Sequence, residues 1–240
     1  MIDIVETIQQ KNPNDAVGIL DAALDHYGDK IALAMSFQVG GAVLLDMIHR
    51  MGREVDVFSI DTGRLPEETY DCAHQITEKY GIKIKWVFPQ YDAVENMIQE
   101  KGIYSFRHSV ENRKECCGIR KVEPLTRALA PYDAWLTGRR LEQGGTRHAL
   151  DMVEPDPKHE DKIKINPLVK WTVGDLWRYI REHDVPYNQL YDEGYRSIGC
   201  ECCTRACKGG EGERDGRWWW EEPEHKECGL HISYTNGSGI

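Results

Sequence analysis

"IALAMSFQVGGAVLLDMIHRMG", residues 31–52, changes its apolar period halfway along. Ile31 to Ser36 is a short apolar run suited to a buried strand. A glycine-containing loop, Phe37 to Gly41, follows. "AVLLDMIHRMG" (42–52) then repeats its apolar residues at helical spacing and stops at Gly52. Strand, glycine loop and helix in that order open a βαβ unit. The pattern recurs on either side. Upstream, "NPNDAVGILDAALDHYG" (12–28) reads as a helix that starts at Pro13 or Asn14 and ends at Gly28. Downstream, "VDVFSI" (55–60) is a second strand, followed by "DTGRL" (61–65). The helix "PEETYDCAHQITEKYG" (66–81) has Pro66 in its first turn and Gly81 at its end. "IKIKWVF" (82–88) is a third strand, and "YDAVENMIQEKG" (91–102) a helix with Asp92 as its cap. "KVEPLTRALA" (121–130) is helical and "DAWLTG" (133–138) a fourth strand, ahead of "RRLEQGGTR" (139–147). "KIKINPL" (162–168) is extended. "TVGDLWRYIREHD" (172–184) is a helix capped by Thr172 with Asp175 in the capping-box position.

This alternation predicts an α/β fold, a parallel sheet flanked by helices on both faces. In such sheets the ligand lies outside the carboxyl ends of the strands. The loops there are "SFQVGG", "DTGRL" and "TGRRLEQGGTR". From about Tyr187 the periodicity gives way to Gly, Cys, Arg and Trp. The chain is therefore expected to comprise an α/β part, 1–186, with a ligand crevice at its strand ends, and an irregular cysteine-rich C-terminal segment, 187–240, within one domain.

The 240 residues carry a formal net charge of −10, which argues against a broad nucleic-acid surface. The positive charge is local. "GIRK", "TGRRLEQGGTR" and "RDGR" each set basic residues in glycine-containing segments, the signature of an anion pocket. The N-terminus lacks a basic start followed by an apolar run, and no apolar stretch reaches membrane-spanning length. A cytoplasmic protein without membrane partners is expected. There, clustered cysteines bind metal or do chemistry.

Four of the eight cysteines fall in "CECCTRAC" (200–207). They lie too close together to staple a fold. Cys116 and Cys117 form a tandem pair, and Cys200 and Cys203 a C-x-x-C pair. Four thiolates fit a structural zinc or an iron–sulfur cluster. Adjacent cysteines chelate one tetrahedral ion awkwardly, which favours the cluster. Cys228 stands apart near the C-terminus, with His225, Lys226 and His231 around it. Cationic neighbours raise the thiolate fraction, so Cys228 reads as a nucleophile. With no C-x-x-C partner, its covalent intermediate needs an outside dithiol, of which thioredoxin is the natural type. Cys72, mid-helix, reads as a core residue.

"ECCGIRKVEPL", "SIGCECCTR", "GRWWWEE" and "KECGLH" together resemble the assimilatory adenylyl-sulfate (APS) reductases that carry a [4Fe-4S] cluster, and "DTGRLPEETY" and "PYNQLYDEGY" extend the match. The resemblance implies a PP-loop (adenine nucleotide alpha hydrolase-like) fold. It implies one [4Fe-4S] cluster per chain on Cys116, Cys117, Cys200 and Cys203. It also implies reduction of adenosine 5'-phosphosulfate by thioredoxin or a similar dithiol protein to sulfite and AMP, through an S-sulfocysteine on Cys228. Lys121 and His231 would assist Cys228. Substrate would be held by Ser36 and Phe37 of the phosphate loop, by Ile60, Asp61, Gly63, Arg64 and Leu65, and by Gly138, Arg147, Arg214 and Arg217.

Some residues depart from the family pattern. Gln38, Gly40 and Gly41 replace a small residue and acids in the phosphate loop. Cys202 stands where proline is usual, and Cys207 is additional; neither is expected to be a required ligand. The arginine loop is a residue short, which leaves Arg139 and Arg140 harder to assign. Trp218 to Trp220 are read as packing residues. Three rival readings follow: a reductase for 3'-phosphoadenylyl sulfate (PAPS) or for both substrates, a PP-loop thiolation enzyme, and a zinc-bearing nucleic-acid module. The PP-loop thiolation enzyme would want an S-G-G-x-D-S loop, which "SFQVGG" does not supply. A homo-oligomer is compatible with the sequence.

Overall fold

The computed structural model describes residues 4–143, 150–222 and 226. Its elements, in chain order, are α1 (Ile4–Gln9), α2 (Ala16–Tyr27), β1 (Ile31–Ala34), α3 (Val39–Arg50), β2 (Asp56–Ile60), α4 (Glu67–Tyr80) and β3 (Ile84–Val87). There follow α5 (Tyr91–Lys101), α6 (Val110–Cys117), α7 (Glu123–Leu129), β4 (Ala134–Leu136), β5 (Val153–Asp156), β6 (Lys162–Ile165) and α8 (Val173–His183).

The sheet order is β3-β2-β1-β4-β6-β5. All neighbours run parallel except β5, which pairs antiparallel with β6 at the edge. Successive strand residues face opposite sides. Leu33, Val57, Leu136 and Ile165 join one apolar layer with residues of α2, α3, α4 and α8. Ala32, Phe58 and Trp135 join the other with Leu125 and Leu129 of α7. Cys72 is buried in the first layer. The connection from β1 leads to β2 on one side, whereas β4 lies on the other side of β1. The switch point therefore falls between the carboxyl ends of β1 and β4.

Several local details differ from the sequence reading. Asp15, rather than Pro13 or Asn14, caps α2, its side chain accepting the Gly18 N–H. Gln90 precedes α5, and Asp92 lies one residue inside it. Helix α3 begins at Val39, so Gly40 and Gly41 sit in its first turn rather than in the loop. Strand β5 was not foreseen. Its residues Glu154, Pro155 and Asp156 are poor strand formers, and proline is tolerated because β5 is an edge. Helices α1 and α6 were also missed. Helix α6 is polar all round, and its start is marked only by Ser109, whose hydroxyl accepts the Asn112 N–H. The Thr172–Asp175 capping box of α8 is present in both directions.

Beyond α8 the described chain forms only short 3-10 turns, Gln189–Tyr191 and Glu201–Cys203, and an isolated bridge between Thr204 and Arg217. Among the described residues, no helix is long and apolar enough to cross a membrane.

Candidate active site

A cavity of about 190 Å³ opens at the β1/β4 switch point. Its floor is the β1–α3 loop. Phe37 there adopts φ +56°, a left-handed conformation that a bulky residue rarely takes. Burial and stacking on Trp86, with centroids 5.5 Å apart, hold it in place. Gln38 ties this loop to the C-terminal segment, its side-chain oxygen accepting from Ser197 Oγ (3.3 Å) and the Ile198 N–H (3.2 Å). The Val39 N–H donates to the Tyr191 hydroxyl at 3.4 Å. The first turn of α3 carries no acidic residue, so nothing within the helix offsets the dipole at its N-terminus, which lines the cavity.

Ser36, Phe37, Ile60, Leu65, Gly138, Lys121, Arg214 and Arg217 line this cavity. Asp61, Gly63 and Arg64 do not. The Asp61 carboxylate is occupied within its own loop, accepting the Gly63 N–H (2.7 Å) and the Tyr70 hydroxyl (2.9 Å). Burial and this carboxylate push the Tyr70 phenol up to about 12. Gly63 supplies the left-handed turn, at φ +69°. Arg64 faces the cysteines instead. Arg147, Cys228 and His231 lie outside the described residues.

Sequence reasoning passed over other wall residues: Thr62, Thr69, Thr137, Gln143 and Glu213. Thr62 and Thr137 sit in strand-end loops already singled out, so their position was the available signal. Arg139 and Arg140 line the cavity too, but both are buried against carboxylates. Arg139 pairs with Glu154. Arg140 pairs with Glu213 at 2.8 Å and with Glu142 at 3.0 Å. The arginine loop therefore contributes less free positive charge than its composition suggests.

The cysteines meet in a second, smaller cavity. Cys116 and Cys117 end α6, which runs into a π-helical turn, Gly118–Val122, carrying Arg120 and Lys121. Such turns concentrate at functional sites. Cys200 and Cys203 come from the C-terminal segment. All four are buried and line one cavity with Cys202, Arg64, Arg113, Arg120, Lys121, Phe106 and Trp218. The β2–α4 loop is clasped to both parts. The Arg120 guanidinium donates to the Thr62 carbonyl (2.6 Å), the Glu201 N–H donates to the Arg64 carbonyl (2.9 Å), and Thr62 Oγ1 shares a 3.3 Å hydrogen bond with Cys200 Sγ. Trp218 is buried in the wall and Trp219 is exposed.

The donor set suits a thiolate-bound group. Burial pushes the Cys116 thiol up despite Arg64 and Arg120 nearby. Cys203, hydrogen-bonded to Cys202 and buried, is also pushed up, while Cys202 is held down by that hydrogen bond and by Arg64. Four buried thiols ringed by guanidinium and ammonium groups gain little as neutral thiols. Bound as thiolates to a metal centre, they place negative charge where those cations stand. Among the described residues, no three of His, Cys, Asp and Glu converge as a single ion requires.

A mostly parallel nucleotide-type sheet with a cation-bearing cavity beside a buried thiol cluster defines an α/β enzyme fold related to the PP-loop proteins. The chain belongs to the phosphoadenosine phosphosulfate reductase domain family, which matches residues 30–206. It is 48% identical over 217 residues to the adenosine 5'-phosphosulfate reductase of Burkholderia cepacia, covering 89% of this chain and 86% of that protein. It is 42% identical to the chloroplastic 5'-adenylylsulfate reductase 1 of Arabidopsis thaliana, covering 96% of this chain but only 51% of the plant protein. Among solved structures it resembles the phosphoadenylyl-sulfate reductase of Candida auris in its phosphate complex. The TM-score is 0.68 and the identity 31%, with 82% of this chain and 92% of that one covered.

Proposed function

We propose that this chain reduces adenosine 5'-phosphosulfate to sulfite and AMP in sulfate assimilation, using a thioredoxin-type dithiol in a cytoplasmic setting. The observation that carries the reading is the position of Lys121, which lines both the switch-point cavity and the thiol cavity. Relatives named as APS reductases support the substrate.

In this reading residues 1–186 bind the nucleotide and 187–240 complete the site. The Ser36–Gly41 loop and the first turn of α3 offer N–H donors to the anionic end. Lys121, Arg147, Arg214 and Arg217 offset the repulsion between a thiolate and a polyanion, and stabilise charge developing on the leaving phosphate. The Cys228 thiolate, with His231 close by in sequence, attacks the sulfate sulfur. A sulfur–sulfur bond forms, the sulfur–oxygen bond to phosphate breaks, and AMP leaves with the electron pair. A dithiol then attacks Cys228 Sγ and sulfite departs. The second thiol closes the dithiol to its disulfide and returns Cys228 as a thiol. The two electrons that reduce the sulfur come from the dithiol.

Cys116, Cys117, Cys200 and Cys203 would hold a [4Fe-4S] cluster, which when bound supplies a fixed electrostatic partner beside the substrate cavity. The donor chemistry and the cations around it support this over a single zinc ion.

Anaerobic incubation with APS, and separately with PAPS, without any reductant, tests the reading by intact-protein mass spectrometry. One sulfonate group is expected on Cys228 with APS, and none on a Cys228→Ser variant. An adduct with PAPS alone would reassign the substrate. Cluster-loaded protein that gains no adduct with either would overturn the mechanism.

A further inference from the structure

Resting on the cluster reading above, we propose that Cys202 is a reserve ligand, a fifth thiol able to take the place of Cys203. Cys202 lines the same cavity as the other four. Its Sγ lies 3.9 Å from that of Cys203, and it packs against the apolar nest that encloses the site. Both residues belong to one 3-10 turn, Glu201–Cys203. A side-chain rotation covers a displacement of this size without moving the backbone. The turn itself is held independently of either sulfur: the Cys203 N–H donates to the Cys200 carbonyl (3.0 Å), and Arg107 donates to the Cys202 carbonyl (3.4 Å). Arg64 stands 3.8 Å from Cys202 Sγ, so a cation already faces this sulfur.

Among the described residues, Cys202 is the one further thiol that lines this cavity. Cys200 shares its hydrogen bond with the Thr62 hydroxyl, which is not a thiol. Cys207 points away, its thiol donating to the Gly212 carbonyl at 3.6 Å, and Cys72 belongs to a different core. The exchange involves no change of oxidation state. In the exchange Cys202 would give up its proton and bind iron, while the Cys203–iron bond would break and Cys203 would take up a proton in its turn. One thiolate replaces another, and the charge of the site is unchanged.

Iron and acid-labile sulfide per chain, measured anaerobically on the purified full chain, test this. Wild type, Cys202→Ser and Cys203→Ser are expected to hold equal amounts. Cys200→Ser and the Cys202→Ser/Cys203→Ser double variant are expected to lose most of both. Thiol alkylation followed by peptide mass spectrometry gives a second readout. Cys202 should be modified in loaded wild type and protected in loaded Cys203→Ser, or in Cys203→Ala if serine disturbs folding. Iron loss in the Cys203 variants equal to that in Cys200→Ser, or undiminished alkylation of Cys202, would overturn the proposal. Wild type devoid of iron and sulfide would remove the cluster reading itself, and the reserve ligand with it.

Discussion

Gly40 and Gly138 meet backbone to backbone across the switch point. A Cβ on Gly138 would stand 2.6 Å from the Gly40 carbonyl carbon, and one on Gly40 would stand 2.6 Å from the Gly138 carbonyl oxygen. Neither contact involves a flexible side chain, so any larger residue must push the start of α3 away from the end of β4. Both segments line the cavity.

Gly138→Ala is therefore expected to cost about 1–3 kcal/mol, the usual range for overpacking, and to lower Tm by about 5 °C. Nucleotide affinity should fall with it, because the loop that offers the N–H donors has moved. Gly209→Ala, where an added Cβ meets nothing within 4 Å, is the control and should change neither. Calorimetric titration with AMP alongside thermal melts would decide it. A Gly138→Ala protein that melts and binds like wild type would show that this close approach does not shape the site.

The core strands and the switch-point loops were legible because short apolar runs ending in glycine have few other readings. Cys116, Cys117, Cys200 and Cys203 were legible as a set from their tandem and C-x-x-C spacing. The partners that place them were not. Helix α6 has no apolar face, and the Arg113–Glu221 pair that anchors it spans 108 residues. The charge balance of the arginine loop was hidden for a related reason. Arg139 is neutralised by Glu154, which lies on an edge strand whose proline and acids disguise it. Asp61 was expected at the substrate from the family resemblance of its loop, yet Tyr70, nine residues on, occupies its carboxylate. Sequence period reports which residues are buried together. It does not report which charges are already spoken for.

The Arg113–Glu221 pair itself yields a prediction. Arg113 Nε and Nη2 donate to the two Glu221 oxygens at 3.0 and 2.7 Å, and both side chains are almost fully buried. Arg113 also packs over Trp218, 4.7 Å from the ring centroid. The pair thus joins the helix carrying Cys116 and Cys117 to the segment that follows Cys200 and Cys203. Glu221→Gln leaves a buried guanidinium short of its counter-charge and is expected to cost about 3–5 kcal/mol, or about 10 °C in Tm. Iron content should fall in parallel. The Arg113→Met/Glu221→Leu double variant, with no orphaned charge, should recover much of the loss. If the double variant melts as low as Glu221→Gln, the pair is not acting through charge compensation.

A last prediction concerns acid stability. Asp156 is buried at the β5–β6 turn, where it accepts from His159 Nδ1 at 2.8 Å and lies 3.3 Å from Lys164 Nζ. Lys164 in turn approaches Glu154, the partner of Arg139. Burial alone would raise the Asp156 carboxyl, but His159 and Lys164 outweigh it and hold the carboxyl below its ordinary value. A group held down in this way binds its proton less readily folded than unfolded. Its stabilisation is fully present above the ordinary aspartate range, about pH 4, and is lost as pH falls through the lower folded value. Asp156→Asn should therefore lower Tm at pH 7, because Lys164 loses its counter-charge. It should also flatten the decline of Tm between pH 5 and pH 3 relative to wild type. Parallel melting curves across that range measure both effects. Equal slopes for the two proteins would place the acid sensitivity elsewhere and leave Asp156 with a purely packing role.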